Sequence, residues 1–335
     1  MSVDQRLNNE TGILPYEAKI GSDACNARRG MSPVLEMTVI IPSYNEANGL
    51  KQVLPTLIET CRKHGWRILV VDDASSDATV DVLDRFEGEI EVIRNWTNIG
   101  YGASIKKGII AAETDWVATF DSDGQHRAED LEKLAAEIGF YDAVVGKRNL
   151  ESHCSFSRMP GKWVLGKIAN LLVGAKIPDI NCGLRIFRRR AILEILRLTS
   201  DSFSFSTSSL IALIKMGYNV YLSPVTINRR IGNSSVHQVK DGLNTILLIL
   251  RLITLFDPFR IMLPFSAFFF TVGLIYQLTS FAVYGFDLNK LTVLLWIFSI
   301  IIFLVALVAD QIGALRREIS KYILSHHYKS DEKRL

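Results

Sequence analysis

Two charge-free apolar stretches near the C-terminus constrain the architecture of this 335-residue chain more than any other feature. They cover residues 263–286 and 291–309, and the short sequence "DLNK" separates them. Each stretch approaches the roughly 20 residues that a helix needs to cross a bilayer. Buried core helices of a soluble protein are the alternative, but apolar runs of this length favour membrane spans. The sequence therefore predicts a two-helix transmembrane hairpin over residues 261–312.

Basic residues on both sides of the hairpin predict its orientation. Lys240, Arg251 and Arg260 precede it, and Arg316, Arg317 and further basic residues follow it. Cytoplasmic segments of membrane proteins carry an excess of Lys and Arg. We therefore expect both ends of the hairpin at the cytoplasmic face of the membrane.

Composition also assigns the segments around the hairpin. Residues 313–335 are predicted to be a basic cytoplasmic tail, and residues 1–34 a polar extension without the apolar core of a signal peptide. Residues 237–260 are mostly apolar but contain Arg251 and Asp257, which favours an amphipathic helix lying in the membrane interface. A core helix of the soluble region is the alternative. The sequence thus predicts an integral membrane protein with residues 35–236 and both termini in the cytoplasm.

Residues 35–236 alternate short apolar runs with helical patterns, which predicts an α/β domain with a mainly parallel sheet and helices on both faces. Ligands of such sheets bind beyond the carboxyl ends of the strands. Polar clusters follow the apolar runs at these points: "SYNE", "DDASSD", "NIGYG" and "DSDGQH". The sequence therefore predicts a binding site at this edge of the sheet.

Asp121 and Asp123 follow the apolar run "WVATF" and are separated by one residue. Alternate side chains of an extended backbone point to the same side, so the two carboxylates would converge and repel each other. A hard divalent cation relieves that repulsion, since Mg²⁺ usually takes one or two carboxylates together with waters and substrate phosphates. The pattern predicts a site for Mg²⁺ or Mn²⁺ that bridges a diphosphate. A solvated acidic turn is the alternative.

Four motifs in order, "IPSYNE", "VVDDASSDAT", "NIGYGASIKKGI" and "FDSDGQH", resemble the GT-A catalytic domain of family 2 glycosyltransferases. The resemblance covers about residues 37–235, and the paired membrane helices are similar to those of the polyprenyl-phosphate branch of that family. It implies a Rossmann-like GT-A fold. It also implies metal-dependent, inverting transfer of a sugar from a UDP- or GDP-linked donor to polyprenyl phosphate at the cytoplasmic face of the membrane.

The resemblance also implies roles for individual residues on the donor side. Gln125 would join Asp121 and Asp123 at the metal, whereas the lone His126 is interpreted as structural. For Lys106, a solvated position on a helix face is as good an interpretation as a nucleotide contact. The predicted nucleotide-sugar pocket comprises Pro42, Tyr44, Glu46, Asp73, Asn98, Gly100, Lys106 and Asp121.

On the acceptor side, "DINCGLRIFRR" resembles a family loop, D-x-x-S-G-[FL]-[KR], with Cys182 in place of the serine. Asp179 would lie near the acceptor and Arg185 near charged substrate groups, and both are predicted to be catalytic together with Asp121 and Asp123. A turn-stabilising acid is the alternative for Asp179.

The segment "NRRIGNSS" resembles the family pattern R-x-x-G-x-S-K but carries Ser235 where that pattern has lysine. Arginines bind phosphate well because the guanidinium offers a planar fork of donors. For Arg148, which ends another apolar run, a surface position is the alternative to phosphate binding. The acceptor phosphate is predicted to bind Arg148, Arg229, Arg230 and Ser234.

Other classes of function receive less support. The net charge of +3 gives no argument for a nucleic-acid partner, and the four cysteines include no CxxC pair of the kind found in zinc sites. A transferase acting on a saccharide or glycolipid hydroxyl is the first alternative, although the QxxRW motif of processive enzymes is absent from the sequence. The second alternative is a non-catalytic, membrane-tethered nucleotide-sugar binder. Association into a homo-oligomer through the membrane helices is a further expectation.

Overall fold

The computed structural model describes residues 35–138, 141–148, 182–228, 230–231, 247–248, 250–251, 253–255, 257–285 and 288–332. The chain divides into two compact units at Ile246 and Leu247. The first unit carries the predicted α/β domain and the second carries the apolar C-terminal helices.

Within the described residues, the first unit contains one seven-stranded sheet. Its strands are β1 Met37–Ser43, β2 Arg67–Asp72, β3 Glu91–Arg94, β4 Trp116–Thr119, β5 Ala143–Arg148, β6 Arg185–Arg188 and β7 Val220–Val225. They lie in the spatial order β3-β2-β1-β4-β6-β5-β7. Every neighbouring pair is parallel except the two pairs made by β6, which runs antiparallel to β4 and β5. The predicted mainly parallel sheet is confirmed.

The short strand β6 is the part of the sheet that the sequence pattern does not predict. Its sequence "RIFR" places only two apolar residues between arginines, and a run this short has no usable periodicity. Its strand conformation depends on distant partners, since Ile186 pairs with Ala118 of β4 and with Val144 of β5. The segment expected to be a substrate loop is therefore partly a central strand, and it enters the sheet beside β4.

Helices cover both faces of the sheet. Those of the first unit are α1 Ala47–His64, α2 Thr79–Asp84, α3 Tyr101–Ala111, α4 Ala128–Ala136, α5 Arg189–Ile195 and α6 Phe205–Met216. Side chains alternate across a strand, and on β1 Val39 and Ile41 belong to the core formed with α1 and α4. Ile40 faces α3 instead, and a Cβ added at Gly108 would lie only 2.5 Å from its Cγ2 atom. Glycine at this position therefore allows α3 to pack closely on the second face.

The second unit contains α7 Phe259–Tyr284 and α8 Lys290–Glu332. Both helices are long and apolar enough to cross a membrane. Ser266 Oγ donates to the Ser299 carbonyl at 3.0 Å, and Ser299 Oγ donates to the Ser266 carbonyl at 2.8 Å. Such hydrogen bonds hold membrane helices together, because lipid is as apolar as the side chains and gives little hydrophobic drive. The two helices of the predicted hairpin are confirmed.

The segments flanking the hairpin are described only in part. The described residues between positions 247 and 255 are helical, and α8 continues through most of the predicted basic tail. Residues 1–34 and 237–246 lie outside the described residues. The domain boundaries inferred from the sequence therefore stay predictions.

Candidate active site

The carboxyl ends of β1, β2 and β4 meet at one edge of the sheet. Ser43 pairs with Asp72 in the parallel register of β1 and β2, and Ile40 pairs with Thr119 of β4. The residues that follow these strands form the polar motifs expected at this edge. Ser122 Oγ, inside the acidic motif, donates to the carbonyl of Pro42 at 3.1 Å and so ties the ends of β4 and β1 together.

The carboxylate of Asp121 is held on three sides. Tyr101 Oη donates to its Oδ1 at 2.7 Å, and His126 Nε2 lies 3.3 Å from its Oδ2. A Cβ at Gly183 would come within 2.0 Å of Oδ2, so only glycine permits this close approach. Burial opposes ionisation of Asp121, but the His126 and Tyr101 contacts and the Arg230 charge together lower its pKa below the usual value. Asp121 is therefore a fixed, ionised carboxylate.

Asp123 is bound differently. Its Oδ1 accepts a hydrogen bond from the backbone N–H of Gln125 at 3.1 Å, while its Oδ2 lies 3.6 Å from Arg230 Nε. Burial and the negative charge of Asp121 raise the pKa of Asp123 above its usual value. Arg230 Nη2 also donates to Glu46 Oε1 at 2.8 Å. One guanidinium therefore serves two carboxylates.

These residues fit a divalent cation of the magnesium type. No group of three or more His, Cys, Asp and Glu side chains suited to a metal occurs in the described part of the chain. A cation that takes only one or two carboxylates, with substrate phosphates and waters completing its shell, does not require such a group. Asp123 Oδ2 accepts no hydrogen bond from any described residue. The oxygen donors of Asp121, Asp123 and Gln125 suit Mg²⁺ or Mn²⁺ chemically.

The predicted nucleotide residue Asp73 has both oxygens engaged by the protein. Its Oδ1 accepts from Asn95 Nδ2 at 2.8 Å and from the Ile99 N–H at 2.9 Å, and its Oδ2 accepts from the Gly100 N–H at 2.8 Å. Gly100 has a φ of 100°, which glycine adopts without strain. The carboxylate thus fixes the loop that leads into α3. In the structure the carboxylate positions this loop, and its contact with the nucleotide sugar stays a prediction.

The other nucleotide-side residues lie around the same edge. Tyr44 and Asn98 are exposed, and Glu46 lies beside Arg230. Lys106 is not a solvated helix-face lysine, because its Nζ donates to the Thr199 carbonyl at 2.6 Å and its side chain is only 16% exposed. Its ammonium group also donates to Asp201 Oδ1 at 2.7 Å. Lys106 therefore holds α3 against the segment that precedes α6.

The acceptor-side residues are described only in part. Arg185 was predicted to face charged substrate groups, but it is fully buried, with Nε donating to the Cys182 carbonyl at 2.7 Å and Nη1 to the Ser206 carbonyl at 2.5 Å. The guanidinium thus bonds to the backbone on either side of it, and its contact with charged substrate groups stays a prediction. Arg148 is partly buried at the end of β5. Asp179, Arg229 and Ser234 lie outside the described residues.

Three residues near the acidic pair were not predicted as parts of the site. Tyr101, His126 and Gly183 all contact Asp121 or limit its position. Tyr101 lies inside the small-residue motif "NIGYG", and His126 ends "DSDGQH", so their motifs were recognised without their roles. Gly183 lies inside the motif "DINCGLRIFRR", but its closeness to Asp121 follows only from the fold, because β6 brings it to the edge.

Comparisons with known proteins agree with this geometry. The model of the family "Glycosyl transferase family 2" matches residues 38–196, and that of the "GtrB C-terminal hairpin" matches residues 257–315. An uncharacterized protein of Methanocaldococcus jannaschii is 32% identical over 202 residues, which cover 57% of this chain and 80% of that protein.

A second relative is the undecaprenyl-phosphate 4-deoxy-4-formamido-L-arabinose transferase of Pseudomonas fluorescens. It is 32% identical over 178 residues, which cover 51% of this chain and 52% of the relative. The chain thus spans about half the length of that enzyme.

Among solved structures, glucosyl-3-phosphoglycerate synthase from Mycobacterium tuberculosis, in complex with Mn²⁺, UDP and glucosyl-3-phosphoglycerate, shares the fold. Its TM-score is 0.52 at 13% identity, and the match covers 65% of this chain and 80% of that one. The sheet, the acidic edge, the family models and these relatives together establish that the chain belongs to glycosyl transferase family 2 and is a glycosyltransferase.

Proposed function

We propose that this protein transfers a sugar from a UDP- or GDP-linked donor to polyprenyl phosphate at the cytoplasmic membrane face, with a divalent cation and inversion at the anomeric carbon. The observation that carries the proposal is the Asp121–Asp123 pair at the ligand-binding edge of the sheet, in a chain that also carries the two apolar helices. The similarity to undecaprenyl-phosphate 4-deoxy-4-formamido-L-arabinose transferases supports the choice of acceptor.

On the donor side, Asp123, Asp121 and Gln125 would hold Mg²⁺ or Mn²⁺. Such a cation neutralises the charge that develops on a departing nucleoside diphosphate. Tyr101 and His126 keep Asp121 ionised and fixed, which places one negative charge without reorganisation during the reaction. Tyr44 and Glu46, which follow β1, would line the donor pocket.

On the acceptor side, the nucleophile needs no general base. A phosphate monoester has a second pKa of about 6 and is largely ionised at neutral pH, whereas a sugar hydroxyl must lose its proton to attack. The acceptor instead needs positive charge to hold it in line. Arg230 would provide this charge, with Arg148 and the two predicted ligands beyond the described residues, Arg229 and Ser234. Asp179 would orient the acceptor.

The experiment is a donor screen with purified full-length protein in detergent. UDP- and GDP-sugars are each tested with undecaprenyl phosphate and, as the matched control, with undecaprenol. We expect nucleoside diphosphate release and a sugar-phosphate lipid from one donor class with the phosphate only. Equal turnover of the alcohol, or a product on a saccharide hydroxyl, would overturn the proposed acceptor.

The proposed orientation has its own test in whole cells. In a background with Cys25 and Cys154 replaced by Ser, a cysteine at Asn289 should react with a membrane-impermeant thiol reagent added outside. A cysteine at Ser330 should not react, because the positive-inside rule puts it in the cytoplasm. The two remaining native cysteines, Cys61 and Cys182, are buried and do not interfere. The reverse labelling pattern would contradict the cytoplasmic location of residues 35–236.

A further inference from the structure

Arg230 connects two carboxylates from distant parts of the chain. Its Nη2 lies 2.8 Å from Glu46 Oε1, and its Nε lies 3.6 Å from Asp123 Oδ2. The three side chains are mostly buried, at 27% exposed for Arg230, 14% for Glu46 and 10% for Asp123. Arg230 Nε has no hydrogen-bond partner among the described residues. The contact with Asp123 is therefore one of charge, without a directional hydrogen bond to fix it.

The backbone around Arg230 is fixed while its side chain is long. The Ile231 N–H donates to the Asp123 carbonyl at 3.0 Å, and the Asn228 N–H donates to the Gln125 carbonyl at 2.9 Å. The arginine side chain can therefore change direction while its Cα stays beside the acidic motif. Such a change needs only rotations about side-chain bonds, which are fast.

A divalent cation at Asp123 would lie within a few ångströms of the guanidinium. Like charges repel strongly at such distances where burial limits screening by water. Asp123 Oδ2 is the oxygen that faces Arg230, and it accepts no hydrogen bond from a described residue, so the cation would bind on the side where Arg230 lies. Binding of the cation and the Arg230–Asp123 contact must then oppose each other, and by linkage each weakens the other equally.

We propose that Arg230 is an internal counter-cation of the acidic pair, which leaves Asp123 when the donor and its cation bind and then binds the acceptor phosphate. This inference rests on the proposed function and adds an order to it. Donor binding precedes productive acceptor binding, because Arg230 stays beside Asp123 until the cation arrives. The same exchange keeps the buried pair neutralised at every stage, so Asp123 is never left as an unpaired buried charge.

The first arm of the test measures Mn²⁺ binding to the full-length protein by the loss of the free-ion EPR signal. In Arg230→Gln, without nucleotide, we expect the affinity for Mn²⁺ to rise about fivefold or more, the low end of typical coupling between sites. Arg230→Lys keeps the charge and should stay close to wild type. Arg127→Gln is the matched control, since Arg127 is exposed, follows the same motif and should change the affinity less than about twofold.

The second arm measures acceptor kinetics. Arg230→Gln should raise the apparent KM for polyprenyl phosphate by about tenfold or more, since it removes charge-assisted hydrogen bonds. Tighter Mn²⁺ binding together with a higher KM for the acceptor is the result expected if Arg230 first neutralises Asp123 and then binds the acceptor phosphate. A thermal unfolding midpoint close to wild type would show that Arg230→Gln is folded, and Arg230→Met, which also removes the charge, carries the same two expectations if it is not.

The two arms separate this inference from the proposed function. Unchanged or weaker Mn²⁺ binding in Arg230→Gln would overturn the counter-cation role, even if the wild type glycosylates polyprenyl phosphate. Tighter Mn²⁺ binding with an unchanged KM for the lipid phosphate would overturn the transfer of Arg230 to the acceptor. If the wild type makes no sugar-phosphate lipid while Arg230→Gln still binds Mn²⁺ more tightly, the proposed function fails and the counter-cation role stands.

Discussion

The acidic ends of β2 and β4 look alike in the sequence but are bound in opposite ways. Asp73, after β2, accepts three hydrogen bonds from Asn95, Ile99 and Gly100. Asp123, after β4, accepts one backbone hydrogen bond and otherwise faces a guanidinium at 3.6 Å. Asp73 is satisfied by neutral N–H donors that are part of the fold. Asp123 is instead neutralised by the guanidinium of Arg230, which can move away.

The difference separates positioning from reactivity at one edge of a sheet. Buried polar groups are normally satisfied by fixed donors, which stabilises the fold. A carboxylate placed beside another carboxylate and neutralised by a side chain opposes stability, and such arrangements mark functional sites. We therefore expect changes at Asp73 to act first on stability, and changes at Asp123 to act first on catalysis.

The largest expected effect is that of removing the cation. If the acidic pair activates the donor through Mg²⁺ or Mn²⁺, excess EDTA should lower the rate of sugar transfer by roughly 10²–10³, as expected for loss of transition-state electrostatic stabilisation. Added Mn²⁺ should restore the rate. The rate of transfer is followed with labelled donor in treated and untreated samples. Full activity in excess EDTA would contradict the catalytic role of Asp121 and Asp123.

The next effect concerns the stability of Asp73→Asn. The carboxylate of Asp73 now accepts hydrogen bonds from three N–H groups, and the new amide would turn its own N–H group toward one of them. We therefore expect a loss of about 1.5–3 kcal/mol in the free energy of unfolding. Thermal unfolding followed by circular dichroism measures it. Asp115→Asn is the control, since Asp115 is exposed and its carboxylate makes no hydrogen bond in the described part of the chain. Equal midpoints for the two variants would contradict the positioning role of Asp73.

The smallest effect is expected for Tyr101→Phe. It removes the hydroxyl that donates to Asp121 while keeping the ring, which stacks on Phe203 with centroids 5.5 Å apart. One hydrogen bond contributes about 0.5–1.5 kcal/mol, so kcat/KM should fall by roughly two- to tenfold. Tyr221→Phe removes a hydroxyl from β7 and should leave kcat/KM unchanged. Identical kinetics in both variants would mean that His126 and the packing of Gly183 suffice to fix Asp121.

The sequence predicts the larger features of this molecule because their signals are local. Charge-free runs predict α7 and α8, and apolar runs ending in polar clusters predict most of the sheet and the position of the site. The pairing of Asp121 with Asp123 follows from their spacing alone. Each of these signals lies within about 20 residues of chain.

Features that depend on distant partners are the ones that the sequence does not predict. Strand β6 exists because β4 and β5 lie on either side of it, and Arg185 is buried because β6 carries it into the core. The contact between Arg230 and Glu46 joins residues 184 positions apart. The three hydrogen bonds to Asp73 likewise require a loop whose path is set by the packing of α3.

Asp123→Asn tests the central claim most directly, with the unfolding midpoint of Asp73→Asn as the reference. The substitution removes one charge from a repelling, buried pair while keeping the shape of the side chain. We predict that sugar transfer falls by roughly 10²–10³, while the midpoint stays at the wild-type value or rises, because the repulsion from Asp121 is relieved. Transfer near the wild-type rate, or a loss of stability as large as that of Asp73→Asn, would contradict the account.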